Sequence, residues 1–294
     1  MFAYSKSVPN PMKLGLIGHN IATSQAPDIH KRLGDLFGVS VSYELFDLKS
    51  KKESYLSDLI KELKMSGFSG VNITFPFKEK VIKFADKVYE SAFNVKSANT
   101  LIFQKNIVAH NTDYSGFIKS YDFHFKKKKP GKILIIGIGG VGRAISFALS
   151  SLGVLELHIL DTDNLKGEQL LRELKELKIN CKLLNHKKLE SAISSFDGII
   201  NCTPLGHYDF PGCSLGNLEI KKYQWLYDVV YTPAKTIFLK KGELVGSKLI
   251  SGIDLFIFQA LDAFLLFSNN RFDQKDILQH THYLRDHYFN RLYK

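Results

Sequence analysis

A lysine at position 78 and an aspartate at position 113 each close an apolar stretch: Asn72 to Lys78 reads NITFPFK, and Asn111 to Asp113 reads NTD. An amine and a carboxylate that meet can hold and pass a proton, the work of a general acid and base. Further on, Gly137 to Gly142 reads GIGGVG, directly after the apolar run Lys132 to Ile136. A glycine-rich turn between a strand and a helix holds the pyrophosphate of a dinucleotide, and a dinucleotide brings hydride chemistry. Proton handling and hydride handling in one chain imply an oxidoreductase.

The spacing assigns the glycines separate tasks. Gly137 makes the tight turn, Gly139 lets a pyrophosphate approach the backbone, and Gly142 allows close helix packing, with Gly140 and Val141 completing the turn. The following helix carries Val141, Ile145, Ala148, Leu149 and Leu152 on one face and stops at Gly153. Leu155 to Leu160 reads as the next strand and ends at Asp161, about twenty residues beyond the glycines, where a carboxylate receives the ribose hydroxyls. NAD is the expected cofactor. The 2'-phosphate of NADP would meet the Asp161 charge, and Thr162, Asp163 and Asn164 offer no arginine, so NADP is disfavoured, with Lys166 the nearest cation.

Elements that would position these groups follow a βαβ rhythm. In the first half, strands are expected at Lys13 to Ile17, Val41 to Phe46 and Val71 to Thr74, with helices over Pro27 to Phe37 and Glu53 to Met65. A helix carrying Val81, Ile82 and Phe84 leads to two short strands in SANTLIF and NIVAHNTD, so Asp113 stands at a strand's end. The second half continues with a helix over Leu165 to Leu177 and strands at Gly198 to Cys202, Leu226 to Tyr231 and Lys248 to Ile250, a doubly wound sheet. Phe256 to Leu266 and Asp276 to Leu292 are helical without strand partners. The expected fold is α/β with two domains: 1–113 plus about 255–294 as substrate domain, its C-terminal helices returning to it, and 114–254 as a Rossmann dinucleotide domain.

Bulk properties set limits. At 294 residues and 45% hydrophobic content, two ordinary domains can each bury a core. The formal charge of +11 is spread along the chain, and its one dense run, Lys126 to Lys129 before Pro130, reads as a solvated linker. A positive field draws in an anionic substrate and a dinucleotide as readily as nucleic acid, for which no motif is present. Cys181, Cys202 and Cys213 are too scattered for a disulfide framework, which favours a reducing, cytoplasmic setting. The opening MFAYSKSVPNPMK lacks a secretory apolar stretch, and Leu255 to Phe267 is broken by Gln259 and Asp262, so no membrane role is expected. His280 and His282 point to different helix faces, and no metal site is expected.

Taken in order, GHNIATSQAPDIH, GFSGVNITFPFKE, SANT, HNTDYSGF, the GIGGVG turn, NCTPLG, YDVVYTPAKT and SGIDLFIFQALDAF resemble the shikimate/quinate dehydrogenase family over nearly the whole chain. The wording of YSGF and GGVGRA looks closer to members that use NAD. The resemblance implies a catalytic pair of Lys78 and Asp113 at the mouth of a cleft. It implies polar contacts to substrate from Ser24, Thr74, Asn99 and Gln259, with Tyr231 and Gly252 lining the nicotinamide and substrate pocket. Thr203, in Asn201 to Gly206, falls in the cofactor-side loop. The substrate implied is a small carboxylate, shikimate first and quinate second, acted on by a monomer or homodimer.

Departures are local. The family presents two hydroxyl residues around one position for the substrate carboxylate; here the first is Ser24 and the second is Ala26, which allows a related hydroxy acid as substrate. Lys96 stands where glycine is usual, and His19 replaces a common asparagine. A silent ligand sensor on the same scaffold is the alternative from another class, and the intact Lys78 and Asp113 argue against it.

Overall fold

The computed structural model describes residues 11–52 and 54–293. Most of the leader reading, on residues 1–10, and Glu53 at the expected start of a helix lie outside them. The chain divides into two compact units, one of residues up to 115 with 259–281, the other of residues 116–258 with 282–294.

The first unit is built on a mixed sheet of β1 (Met12–Gly18), β2 (Val41–Asp47), β3 (Gly70–Ile73), β4 (Lys87–Val88), β5 (Thr100–Phe103) and β6 (Ile107–His110), in the order β2-β1-β3-β5-β6-β4. β1 pairs in parallel with β2 and β3, each through a crossover helix, Ala26–Leu36 and Tyr55–Met65. β3, β5 and β6 then run antiparallel, with Asn72 opposite Thr100 and Thr100 opposite His110. Leu56, Leu59, Ile60 and Leu63 from the second helix fill one core with Val71, Ile73, Leu101 and Ala109. β1, β2 and β3 agree with the expected strands to within a residue, β5 starts three residues later than SANTLIF, β6 ends three residues before Asp113, and the two-residue β4 is too short to leave a period to read.

In the second unit all neighbours are parallel: β7 (Lys132–Ile136), β8 (Glu156–Leu160), β9 (Cys181–Leu183), β10 (Gly198–Asn201), β11 (Trp225–Asp228) and β12 (Lys248–Ile250), ordered β12-β11-β10-β7-β8-β9. The central strands are buried along nearly their whole length, as continuous apolar runs covered on both faces should be. The helices Gly140–Ser151 and Asn164–Glu176 supply the crossovers that keep β7, β8 and β9 parallel. No helix among the described residues is long and apolar enough to cross a membrane.

Several expected elements change. The segment after Pro76 forms a 3₁₀ turn over Lys80–Phe84 in place of the expected helix. Strand β11 ends at Asp228 and not at Tyr231: the Asp228 carboxylate accepts the Val230 N–H at 3.0 Å, which takes that amide out of the sheet ladder. The last helix divides into Gln274–Leu278 and Thr281–Leu292, with the Thr281 hydroxyl donating back to the Leu278 carbonyl at 2.7 Å. Residues 259–281 group with the first unit and 282–294 with the second, which differs from the expected block of about 255–294. The helix Ile237–Leu244, capped by the Thr236 hydroxyl, escapes the sequence because Gly242 interrupts its apolar pattern.

His30 lies 1% exposed beneath the first sheet, stacked on Tyr43 at 5.1 Å and against the edge of Phe267 at 5.6 Å. Burial pushes its pKa down from 6.5 to about 3, partly opposed by a hydrogen bond to Asn72. The unfolded chain therefore takes up this proton first as pH falls, so folded stability drains away between pH 6.5 and about 3, by about 1.4 kcal/mol per pH unit. Chemical denaturation at pH 7 and pH 5 should show His30→Gln losing about 2 kcal/mol less than the unsubstituted protein over that interval. Equal losses would place the proton elsewhere.

Candidate active site

Because β3 and β6 run the same way and β5 runs against both, the end of β3, the start of β5 and the end of β6 fall on one edge of the first sheet. Residues 74–78, 97–99 and 111–113 must therefore emerge together. Lys78 is held by its own carbonyl, which accepts the Ala98 N–H at 2.8 Å, while Thr74 is fixed by donating its N–H to the Ile17 carbonyl at 2.9 Å. Asn111 starts the helix Thr112–Phe125: its Oδ1 accepts the Tyr114 N–H at 3.1 Å, and its Nδ2 donates to Ser97 O at 2.9 Å. Asp113 thus sits in the first turn of a helix, where its charge is favoured, three residues beyond the end of β6 and not at a strand's end as expected.

Across that edge the Lys78 ammonium donates to Asp113 Oδ2 at 2.6 Å, with side chains only 13% and 8% exposed. Each charge is largely out of water and neutralised by the other, and removing either would leave its partner uncompensated. Both belong to the first unit, so the pair needs nothing from the second. Next to Asp113, Thr112 gives its N–H to Asn99 Oδ1 at 2.7 Å and its hydroxyl to Gln259 Oε1 at 3.4 Å, which brings Asn99 and Gln259 together. Thr112 itself was not anticipated; its place between Asn111 and Asp113 was the only signal. Ser24 is bonded locally, its hydroxyl accepting the Ala26 N–H at 3.2 Å as the first crossover helix begins.

In the second unit the glycine turn follows β7. Gly137 needs its positive φ of +87°, and a Cβ there would lie 2.8 Å from Thr203 Cγ2. A Cβ on Gly142 would stand 2.0 Å from the Gly137 carbonyl oxygen. Gly139 is different: its φ of −59° suits any residue and a Cβ would meet nothing within 4 Å, so its open surface is free for a ligand to approach the helix N-terminus. Gly140, Val141 and Gly142 form the first turn of that helix. Asp161 does two things, since Oδ2 accepts the Ile138 N–H at 2.7 Å and Oδ1 the Asp163 N–H at 2.8 Å, stapling the turn while keeping lone pairs for ribose hydroxyls. These residues fit a dinucleotide.

Thr203 is held against this turn by a network the sequence did not disclose. Asn201 Oδ1 accepts from Thr203 N at 3.2 Å and Oγ1 at 2.7 Å, and Asn201 Nδ2 donates to Asp228 Oδ1 at 2.8 Å. Asp228 is fully buried, and burial raises its pKa to about 7 against the opposing hydrogen bonds from Thr236, Val230 and Asn201. Gly252 presses on the Val229 and Val230 carbonyls, where a Cβ would come within 2.5 and 2.6 Å. Tyr231, just past β11, stacks on Phe256 at 4.8 Å. Lys166 is drawn to Asp163 at 3.9 Å in an exposed pair.

Residues 16–101 match the model of the shikimate dehydrogenase substrate binding domain. A Clostridium botulinum protein named shikimate dehydrogenase (NADP(+)) is 34% identical over 258 residues, 87% of this chain and 96% of its own. The chain belongs to the shikimate/quinate dehydrogenase family. A quinate/shikimate dehydrogenase (NAD(+)) from Corynebacterium efficiens is 30% identical over 266 residues, covering 87% and 92% of the two chains. Among solved structures, quinate dehydrogenase from Corynebacterium glutamicum in complex with NAD aligns with a TM-score of 0.83 at 29% identity, over 94% of this chain and 99% of that one. Shikimate/quinate dehydrogenases thus share the two-unit α/β architecture, and both cofactor names occur among them.

The Gly142 contact gives a local check on this family's turn. Gly142→Ala should lower stability by about 1–3 kcal/mol in urea denaturation, since backbone rather than a flexible side chain must yield. An unchanged midpoint would mean the turn is looser than its geometry implies.

Proposed function

We propose that this chain interconverts shikimate and 3-dehydroshikimate, with quinate and 3-dehydroquinate as secondary substrates, using NAD in preference to NADP. The observation that carries the reading is the Lys78–Asp113 pair at 2.6 Å, largely shielded from water and one residue from the Asn99–Thr112–Gln259 cluster. A nicotinamide dinucleotide, when bound, takes the hydride from the carbinol carbon or returns it to the ketone. The protein's part is the proton. Oxidising a secondary ring alcohol requires the hydroxyl proton to leave as the hydride does, and the reverse step needs a donor to the forming alkoxide. Lys78 serves both directions, and Asp113 orients its ammonium. Asn99, Thr74 and Gln259 bond ring oxygens, Ser24 bonds the carboxylate, and Tyr231 and Gly252 border the nicotinamide side.

Gly137 to Gly142, Thr203 and Asp161 would hold the cofactor. The preference for NAD rests on Asp161, whose carboxylate repels a 2'-phosphate, with only Thr162, Asp163 and Asn164 directly beyond it. The free cysteines Cys181, Cys202 and Cys213 favour work in the reducing cytoplasm, as a monomer or homodimer.

Initial rates with shikimate or quinate against NAD or NADP should give the highest kcat/KM for shikimate with NAD; a higher value with NADP would refute the cofactor choice. Lys78→Ala should lower kcat by at least about a thousandfold while the Kd for NAD stays within about twofold. Retained turnover would remove Lys78 from the chemistry. Ala26 leaves the carboxylate one hydroxyl donor short, so Ala26→Ser should lower the shikimate KM about tenfold. No change in KM would show that the carboxylate does not lie against this turn.

A further inference from the structure

Behind Asn99 runs a buried line of side chains joined end to end by hydrogen bonds. Tyr43 Oη donates to Asn72 Oδ1 at 2.9 Å, Asn72 Nδ2 to Thr100 Oγ1 at 3.2 Å, and Thr100 Oγ1 to Asn99 Oδ1 at 3.0 Å. Asn99 Nδ2 donates to Thr112 Oγ1 at 3.0 Å, and Thr112 Oγ1 lies 3.4 Å from Gln259 Oε1. Asn72, Asn99, Thr100 and Thr112 are between 0% and 7% exposed, so water cannot substitute for a missing partner.

Two backbone groups set the direction. The Thr112 N–H can only donate, and it reaches Asn99 Oδ1 at 2.7 Å; the Asn99 carbonyl can only accept, and it faces Asn72 Nδ2 at 3.4 Å. Neither amide can turn over without setting donor against donor or acceptor against acceptor. Asn99 Oδ1 then has its two lone pairs filled, by Thr112 N and the Thr100 hydroxyl. The Thr112 hydroxyl lies 3.2 Å from the same oxygen and 3.4 Å from the Thr100 hydroxyl; with the Thr100 hydrogen given to Asn99 Oδ1, the Thr112 hydrogen is left for Gln259.

We propose that the line Tyr43–Asn72–Thr100–Asn99–Thr112–Gln259 is a one-way hydrogen-bond relay that commits Asn99 to act as an N–H donor towards substrate oxygens and turns the Gln259 carbonyl to the protein. Asn72 and Thr100 are positioning residues, acting through Asn99. The site is thereby matched to ligands that present acceptor oxygens, hydroxyl or ketone, at this wall, and mismatched to ligands that present only donors there. This rests on the reading of Asn99 as a substrate contact.

Thr100→Val keeps the shape and deletes the hydroxyl, so Asn99 Oδ1 loses one donor and its amide is freed to swing. With shikimate varied at saturating NAD, its KM should rise about tenfold while the NAD KM stays within twofold, and Thr100→Ser should restore the shikimate KM. Asn99→Ala, measured beside it, should raise the shikimate KM at least as far. If Asn99→Ala raises KM and Thr100→Val does not, or if Thr100→Val lowers only the melting temperature, the relay is wrong while the substrate reading stands. If Asn99→Ala also leaves KM unchanged, the substrate reading of Asn99 fails first. Should Thr100→Val not fold, Tyr43→Phe removes one oxygen at the far end; a rise in shikimate KM supports the relay and an unchanged KM overturns it.

Discussion

An ammonium and a carboxylate held 2.6 Å apart with little access to water is the interaction on which the first unit is organised. Such a pair is favourable only if its geometry is maintained, since desolvation of two charges costs more than loose attraction returns. The maintenance is visible around it. The Lys78 carbonyl is tied to Ala98, Asn111 caps the helix that carries Asp113, and the antiparallel register of β3, β5 and β6 delivers both segments to one sheet edge. A slip of one residue in that register would turn the Asn72–Thr100 contact to the opposite face and take the relay with it.

The second unit meets its task with a different rule. In a parallel sheet the carboxyl ends of the strands share one edge, so the turn after β7, Asp161 after β8, Thr203 after β10 and Asp228 at the end of β11 are neighbours by topology. Asp161 and Asn201 then convert neighbourhood into fixed geometry, the first by holding the Ile138 N–H and the second by holding Thr203. Asp228, buried and close to neutral pH in its titration, anchors Asn201 from below.

Much of this was legible from the chain. Local signals carried the long apolar strands, the amphipathic crossovers and the glycine turn, because periodicity and backbone requirements act within a few residues of where they are written. The same locality explains the failures: β4 and β9 are too short to show a period, Gly242 hides the helix before β12, and the end of β11 depends on a carboxylate accepting an amide two residues on.

Sequence by itself determined the chemical types: one amine and one carboxylate in segments that follow strands, a glycine-rich turn between strand and helix, an acid after the strand that follows it, and a small residue, Ala26, where the resemblance led to a hydroxyl. Tertiary structure alone decided that Lys78 reaches Asp113, that Thr112, which holds Asn99, meets Gln259 across 147 residues of chain, and which way each amide faces. The reason is that a hydrogen bond's direction depends on which donors and acceptors surround it in space, and those neighbours come from segments that share nothing in sequence but an edge of the same sheet.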